Sequence, residues 1–155
     1  MLFRSHALNA LRMEKGYRHW GHDITDEDTP LEAGLGFAVK MDKAGGFIGR
    51  DALVAQKADG LKRRLVQFLL SDPAPMLYHN EPIWQGDRIA GYIRSGMYAH
   101  TLGAACGLGY VTAADGGTAG PIDPDAYEIE IAGLRYSATA SLKPLYDPTG
   151  ARIKL

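Results

Sequence analysis

Arg12, Glu14, Tyr17, His19, Trp20 and His22 fall close together near the start of the chain, within LRMEKGYRHWGHDITDEDTPLEAGLGFAVKM (residues 11–41). No later stretch has that density of groups able to bind or react. A guanidinium at Arg12 could hold a carboxylate in bidentate fashion, which Arg does better than Lys. It could equally be a surface cation set favourably against the C-terminal end of its helix dipole. Glu14 has no second carboxylate placed with it, so it reads as a surface or ion-pair residue rather than a general acid. The spacing His19-x-x-His22 resembles a metal-ligand pair. Gly21 lies between the two, however, so they cannot share a helix face, and His6, His79 and His100 are scattered. A site of three or four ligands is therefore not expected. Tyr17 and Trp20 could stack on a flat heterocycle or plug a core edge.

The remaining motifs are weaker. Lys62-Arg63-Arg64 lacks interleaved aromatics and reads as a solvated strand entry rather than a nucleic-acid patch. Gly103, Gly107 and Gly109 do not make the dinucleotide pattern, and are better explained by barrel bending or close strand packing. No Ser-His-Asp set, phosphate loop or paired carboxylates are present. Cys106 is the one cysteine, which excludes an intrachain disulfide and reads as a buried, inert thiol.

The elements that must position these groups follow from periodicity and punctuation. Residues Ser5–Lys15 predict a helix with Ser5 as N-cap, Ala7, Leu8, Leu11 and Met13 on its apolar side, and Gly16 ending it. Residues 17–22 should be irregular between Gly16 and Gly21. Thr29-Pro30-Leu31-Glu32 is a capping box with Pro at the first helical position. Leu35, Phe37, Val39 and Met41 alternate with small or polar residues, which predicts a strand. A short helix should run from Arg50 to Ala58 and close at Gly60.

Beyond Gly60 the period shifts from 3.6 to 2. Strands are expected at 62–70, 83–85, 88–94, 104–111, 127–131 and 136–142, with Gly86-Asp87 as a hairpin turn and Ser95-Gly96 as a break. Five or six short strands at this spacing predict a small antiparallel barrel. The tail after Pro144 is expected to be loose. The fold class is thus α+β, with residues 1–60 as one subdomain and 61–155 as the barrel.

The chain has 155 residues, 46% hydrophobic content and a net charge of −1, enough apolar material for a core and no electrostatic case for nucleic acid or an anionic membrane. No apolar run approaches a bilayer span, and the first residues do not make a signal peptide. A cytoplasmic setting, or a mitochondrial matrix in a eukaryote, is expected.

LRMEKGYRHWG followed by TPLEAGLGFAVKMDK, FIGRDAL and GLKRRLVQF resembles the glycine-cleavage T-protein (aminomethyltransferase) family, with the nearest likeness to its dimethylglycine and sarcosine dehydrogenase branch. The likeness runs from about Ala7 to KPLYDP near the end. It implies a tetrahydrofolate site, with Arg12 of the LR-x-E motif helping to hold the folate and Tyr17 and Trp20 beside it. It implies a ferredoxin-like or related α+β subdomain, only part of which is here, before the barrel. It further implies that the proton-handling Asp and the FAD domain lie upstream, that these domains are the chain's partners, and that the chain is a piece of a larger protein, silent alone. Orphaned edges in a partial subdomain would favour a homo-oligomer. The rivals are part of an aminomethyltransferase and a non-catalytic structural or assembly module.

Overall fold

Six strands close into an antiparallel barrel in the computed structural model, which describes residues 2–154. The strands are β1 (Arg63–Leu70), β2 (Pro82–Gln85), β3 (Arg88–Ala99), β4 (Ala104–Thr112), β5 (Tyr127–Ile131) and β6 (Leu134–Ser141). Around the barrel they run β1-β4-β3-β2-β5-β6. Two helices precede them, α1 (Leu2–Glu14) and α2 (Arg50–Asp59). The α+β class and the barrel agree with the sequence reading.

Alternation explains the barrel interior. Val66, Phe68 and Leu70 of β1 point inward with Ile83, Ile93, Tyr127, Ile129, Ala138 and Ala140. Phe68 meets Tyr127 edge-on at 5.6 Å between ring centroids, an arrangement that suits their quadrupoles. β4 does not alternate: every residue from Ala104 to Val111 is buried. One face of β4 lines the barrel, while Leu108 and Tyr110 on the other meet Met13 of α1 and Leu65. A strand covered on both faces loses its period-2 signature, which is why GAACGLGYV reads as a continuous small-residue run.

Helix α1 begins before Ser5, so Ser5 lies inside the helix and is not a cap. Its end is as expected: Gly16 takes φ +63°, and Tyr17 N–H donates to Arg12 O at 2.8 Å. The buried side is Ala10, Met13 and Glu14, whereas Leu8 and Leu11, assigned above to the apolar side, are exposed. Among the described residues of α1, the fully buried ones all lie in its last turns. There the Glu14 carboxylate accepts from Thr101 N–H at 2.6 Å, tying the helix to the β3–β4 turn. Glu14 is thus an anchor, not a surface acid.

Three further expectations are corrected. The alternating stretch 35–41 is not a strand: it holds a 3-10 turn (Gly36–Ala38), and Phe37 is 87% exposed. Alternation makes a strand only where another strand completes its ladder, and none of the described residues pairs with this stretch. Ser95-Gly96 does not break β3, which runs on to Ala99. Glycine is required there because a Cβ on Gly96 would sit 2.5 Å from the Leu77 carbonyl carbon. The tail is not loose either. Leu145 N–H donates to Gln67 Oε1 at 2.9 Å, and Lys15 Nζ lies 3.1 Å from Asp147 Oδ2.

The capping box forms as read. Glu32 N–H donates to Thr29 Oγ1 and Thr29 N–H donates to Glu32 Oε2, both at 3.2 Å. Helix α2 closes at Gly60 and carries no buried residue.

Cys106 is fully buried beside Gln67 Nε2 at 3.3 Å. Burial pushes its thiol up to about 12, a hydrogen bond from Gln67 only partly opposing this. Against an ordinary value of 9.0, that leaves roughly a thousandfold less thiolate at pH 8. Alkylation by a maleimide is therefore expected to track global unfolding across a urea series. Rapid labelling of the folded chain would contradict this burial.

Candidate functional site

Where the C-terminal half of α1 crosses β3, a cleft of about 380 Å³ opens, lined by Asn9, Arg12, His19, His79 and Arg94 among others. No Asp or Glu is among its lining residues. Arg12 reaches the cleft from the last turn of α1, and its side chain is only 12% exposed. Its Nε donates to Asn9 Oδ1 at 2.9 Å, one turn back on the same helix face. Its Nη1 donates to Tyr17 O at 3.2 Å and to Asp23 Oδ2 at 2.6 Å. These bonds occupy two of the three guanidinium nitrogens and leave Nη2 without a hydrogen bond among the described residues.

Asp23 is the residue that sequence reasoning missed. Its side chain is 0% exposed, although DITDED reads as a solvated acidic loop. Gly21 at φ +88° turns the chain so that His19 N–H donates to Asp23 Oδ2 at 2.7 Å. Asp23 N–H in turn donates to His19 O at 2.9 Å. Asp23 Oδ1 is buried and accepts from no described residue. A buried ion pair with one carboxylate oxygen left unpartnered adds little to stability and is better understood as fixing a geometry. The one hint in the sequence was Gly21, two residues earlier.

The three residues singled out for folate do not converge. Arg12 lines the cleft. Tyr17, 55% exposed, lines a separate apolar depression with Phe37, Leu142 and Pro144. Trp20, 67% exposed, makes an isolated bridge to Ile24. His19 and His22 lie 4.8 Å apart between ring centroids, yet no group of three or more His, Cys, Asp or Glu among the described residues is arranged to hold a metal. Arg18 does not enter the cleft; it donates to Gly16 O at 2.6 Å and Ala33 O at 3.0 Å, and burial lowers its pKa, Asp23 and Tyr110 opposing.

A second charged network braces the cleft from behind. Asp28, with a side chain 0% exposed, lies 2.9 Å from Arg63 Nη2 and 3.9 Å from Arg94 Nη2. Both guanidiniums sit over the Tyr110 ring, Arg63 at 4.9 Å and Arg94 at 5.5 Å. Burial, followed by the charge of Asp28, raises the Tyr110 phenol well above its usual range, so it stays neutral at physiological pH. Lys62-Arg63-Arg64 is thus partly an internal brace, not simply a solvated strand entry.

A closed antiparallel barrel carrying one helix, with a cationic cleft at their junction, defines the class of the chain as a small α+β barrel module. Residues 63–147 match the model of the glycine cleavage T-protein C-terminal barrel domain, and residues 2–43 match that of the GCVT N-terminal domain. The chain belongs to the glycine cleavage T-protein family. It is 40% identical over 96% of its length to a 4-methylaminobutanoate oxidase (formaldehyde-forming) of Paenarthrobacter nicotinovorans. It is 39% identical over 96% to mitochondrial sarcosine dehydrogenase of Homo sapiens, and 35% over 98% to mitochondrial dimethylglycine dehydrogenase of Rattus norvegicus. The chain spans only 16–17% of the length of these relatives. Among solved structures, aminomethyltransferase T of the glycine cleavage system from Bartonella henselae superposes with a TM-score of 0.78 at 23% identity. That match covers 92% of this chain and 38% of the other.

Proposed function

We propose that this chain is the folate-binding portion of a flavin-dependent dehydrogenase of N-methylated glycines, capturing the oxidised methyl group as methylenetetrahydrofolate. The substrate is sarcosine or dimethylglycine. The observation that carries this reading is Arg12, placed at a cleft with no lining carboxylate and with two nitrogens already fixed by protein acceptors. Such a guanidinium is pre-organised to bind a polar ligand.

The groups present fit a folate. Asn9, Asn80 and the histidines offer hydrogen bonds, and Tyr78 offers an exposed ring. Tyr17 and Trp20 contribute only where further polypeptide brings the ligand across to them. FAD and the proton-handling carboxylate belong to upstream domains, with residues 1–60 completing the folate subdomain and 61–155 forming the barrel. The host compartment is the cytoplasm, or the mitochondrial matrix in a eukaryote, and exposed Phe37 and Leu11 favour association with those domains or with a second copy. An aminomethyltransferase parent is the nearest alternative, supported by the likeness to the Bartonella structure. The pairing of Arg12 with Asp23, an acid of this same chain, favours a second reading, a structural or assembly module.

Calorimetric titration with tetrahydrofolate tests the proposal. The purified chain should bind, and Arg12→Ala should weaken binding by about tenfold or more, the loss of one charge-assisted contact. Absence of heat at millimolar ligand would favour the structural module, and oxidation of sarcosine by the chain alone would overturn the division of labour.

A further inference from the structure

Two arginines share the cleft, and they are electrostatically unlike. Arg12 is tied at 2.6 Å to a carboxylate that is wholly buried. Seen from the cleft, that pair is a dipole, and its field falls off faster than that of a charge. Arg94 is different. It occupies the extra position of a β-bulge: Ile93 pairs with Gly109 and Ser95 with Leu108, so Arg94 has no counterpart across β4. A bulge gives up ladder regularity and re-aims the side chain it carries. The Arg94 side chain is 36% exposed, and its nearest acid, Asp28, lies 3.9 Å away and is held closer by Arg63 at 2.9 Å. The Tyr110 face supports the guanidinium from one side at 5.5 Å. Arg94 is thus braced and directed to the cleft, with its charge only partly compensated.

We infer that the two arginines divide the ligand between them. Arg94 takes the ligand's carboxylate, and Arg12, its charge cancelled by Asp23, donates hydrogen bonds to a neutral polar edge of the heterocycle. The inference rests on the folate reading for the identity of the ligand and on the bulge for the role of Arg94. It makes Arg94 a specificity-determining residue, and Asp23 the positioning residue for Arg12.

Two ligands separate the roles: tetrahydrofolate, and 6-methyltetrahydropterin, which keeps the heterocycle and carries no carboxylate. Arg94→Ala should weaken tetrahydrofolate by roughly tenfold and leave 6-methyltetrahydropterin within about twofold, with partial rescue in Arg94→Lys. Arg12→Ala should weaken both alike. Equal losses on the two ligands in Arg94→Ala would overturn the assignment. A glutarate titration, followed on the Arg94 Nε–H signal by NMR, distinguishes the two levels of inference. A saturable shift without tetrahydrofolate binding keeps the carboxylate role and discards folate; no shift discards the role of Arg94. The melting temperature of Arg94→Ala should stay within about 3 °C of the parent, because Arg63 keeps Asp28 paired at 2.9 Å and the partly exposed Arg94 makes no hydrogen bond among the described residues.

Discussion

Replacement of Gly91 by alanine is expected to cost about 3 kcal/mol or more, among the largest effects of a single added methyl group in this chain. Gly91 sits in β3 opposite Val111 of β4. A Cβ there would overlap the Tyr110 carbonyl oxygen and lie 3.0 Å from its carbonyl carbon and 3.5 Å from Val111 Cα. All three are backbone atoms of the adjoining strand, so no side chain can swing aside. Relief requires β3 and β4 to separate, which strains the ladder between them. For a chain of this size the penalty corresponds to a melting temperature lower by roughly 6–12 °C. Gly120→Ala is the control, because a Cβ at Gly120 meets nothing within 4 Å. Melting of Gly91→Ala within a degree of the parent would show that the seam is looser than described.

Gln67→Leu should be almost as damaging, for a polar reason. The Gln67 side chain is buried in β1, and one amide serves three elements. Its Nε2 donates to Met13 O at 2.5 Å, at the end of α1, and lies 3.3 Å from Cys106 Sγ in β4. Its Oε1 accepts from Leu145 N–H of the tail at 2.9 Å. Leucine nearly conserves the volume but strips the bonding: the half-buried Leu145 N–H loses its acceptor, and Met13 O keeps only the Gly16 N–H at 3.0 Å. An orphaned group costs about 1–3 kcal/mol, and with the weakened hold on Met13 O a total of about 2 kcal/mol is expected. The distinguishing readout is local: the Leu145 and Tyr146 amides should lose hydrogen-exchange protection ahead of the barrel. Retained protection there would mean that the tail is held by other contacts.

The barrel was legible because its strands obey local rules. Gly86-Asp87 between alternating stretches, and the pair Tyr127/Ile129 followed by Ala132-Gly133, need no knowledge of distant residues. What failed depended on distant residues. Leu8 and Leu11 have the spacing of a buried face, but the described residues of α1 that are buried are Ala10, Met13 and Glu14. Leu35 to Met41 has the pattern of a strand and no strand beside it. Gly96 reads as a breaker, and only the approach of Leu77 reveals why it is glycine. Arg12 was legible as a candidate from its type and neighbours. Asp23 was not, because burial of one acid in an acidic run is decided by the fold of the loop, and Arg94 was hidden because a bulge leaves no local signature in IRSG.

The order of the strands around the barrel bears on how the chain must be made. β1 pairs on one side with β4 and on the other with β6, so that Phe68 meets Gly107 and Ala140. Of the strands β1 emerges first during synthesis, with Val66, Phe68 and Leu70 ready for an interior that cannot close until β6, the last strand, has left the ribosome. Closure across so many residues pays its loop entropy before any long-range contact rewards it, which makes it slow. Lys62, Arg63 and Arg64 stand at the entry to β1, where clustered positive charge hinders two nascent chains from pairing edge to edge. The same basic run that braces the finished cleft thereby guards the strand while it waits.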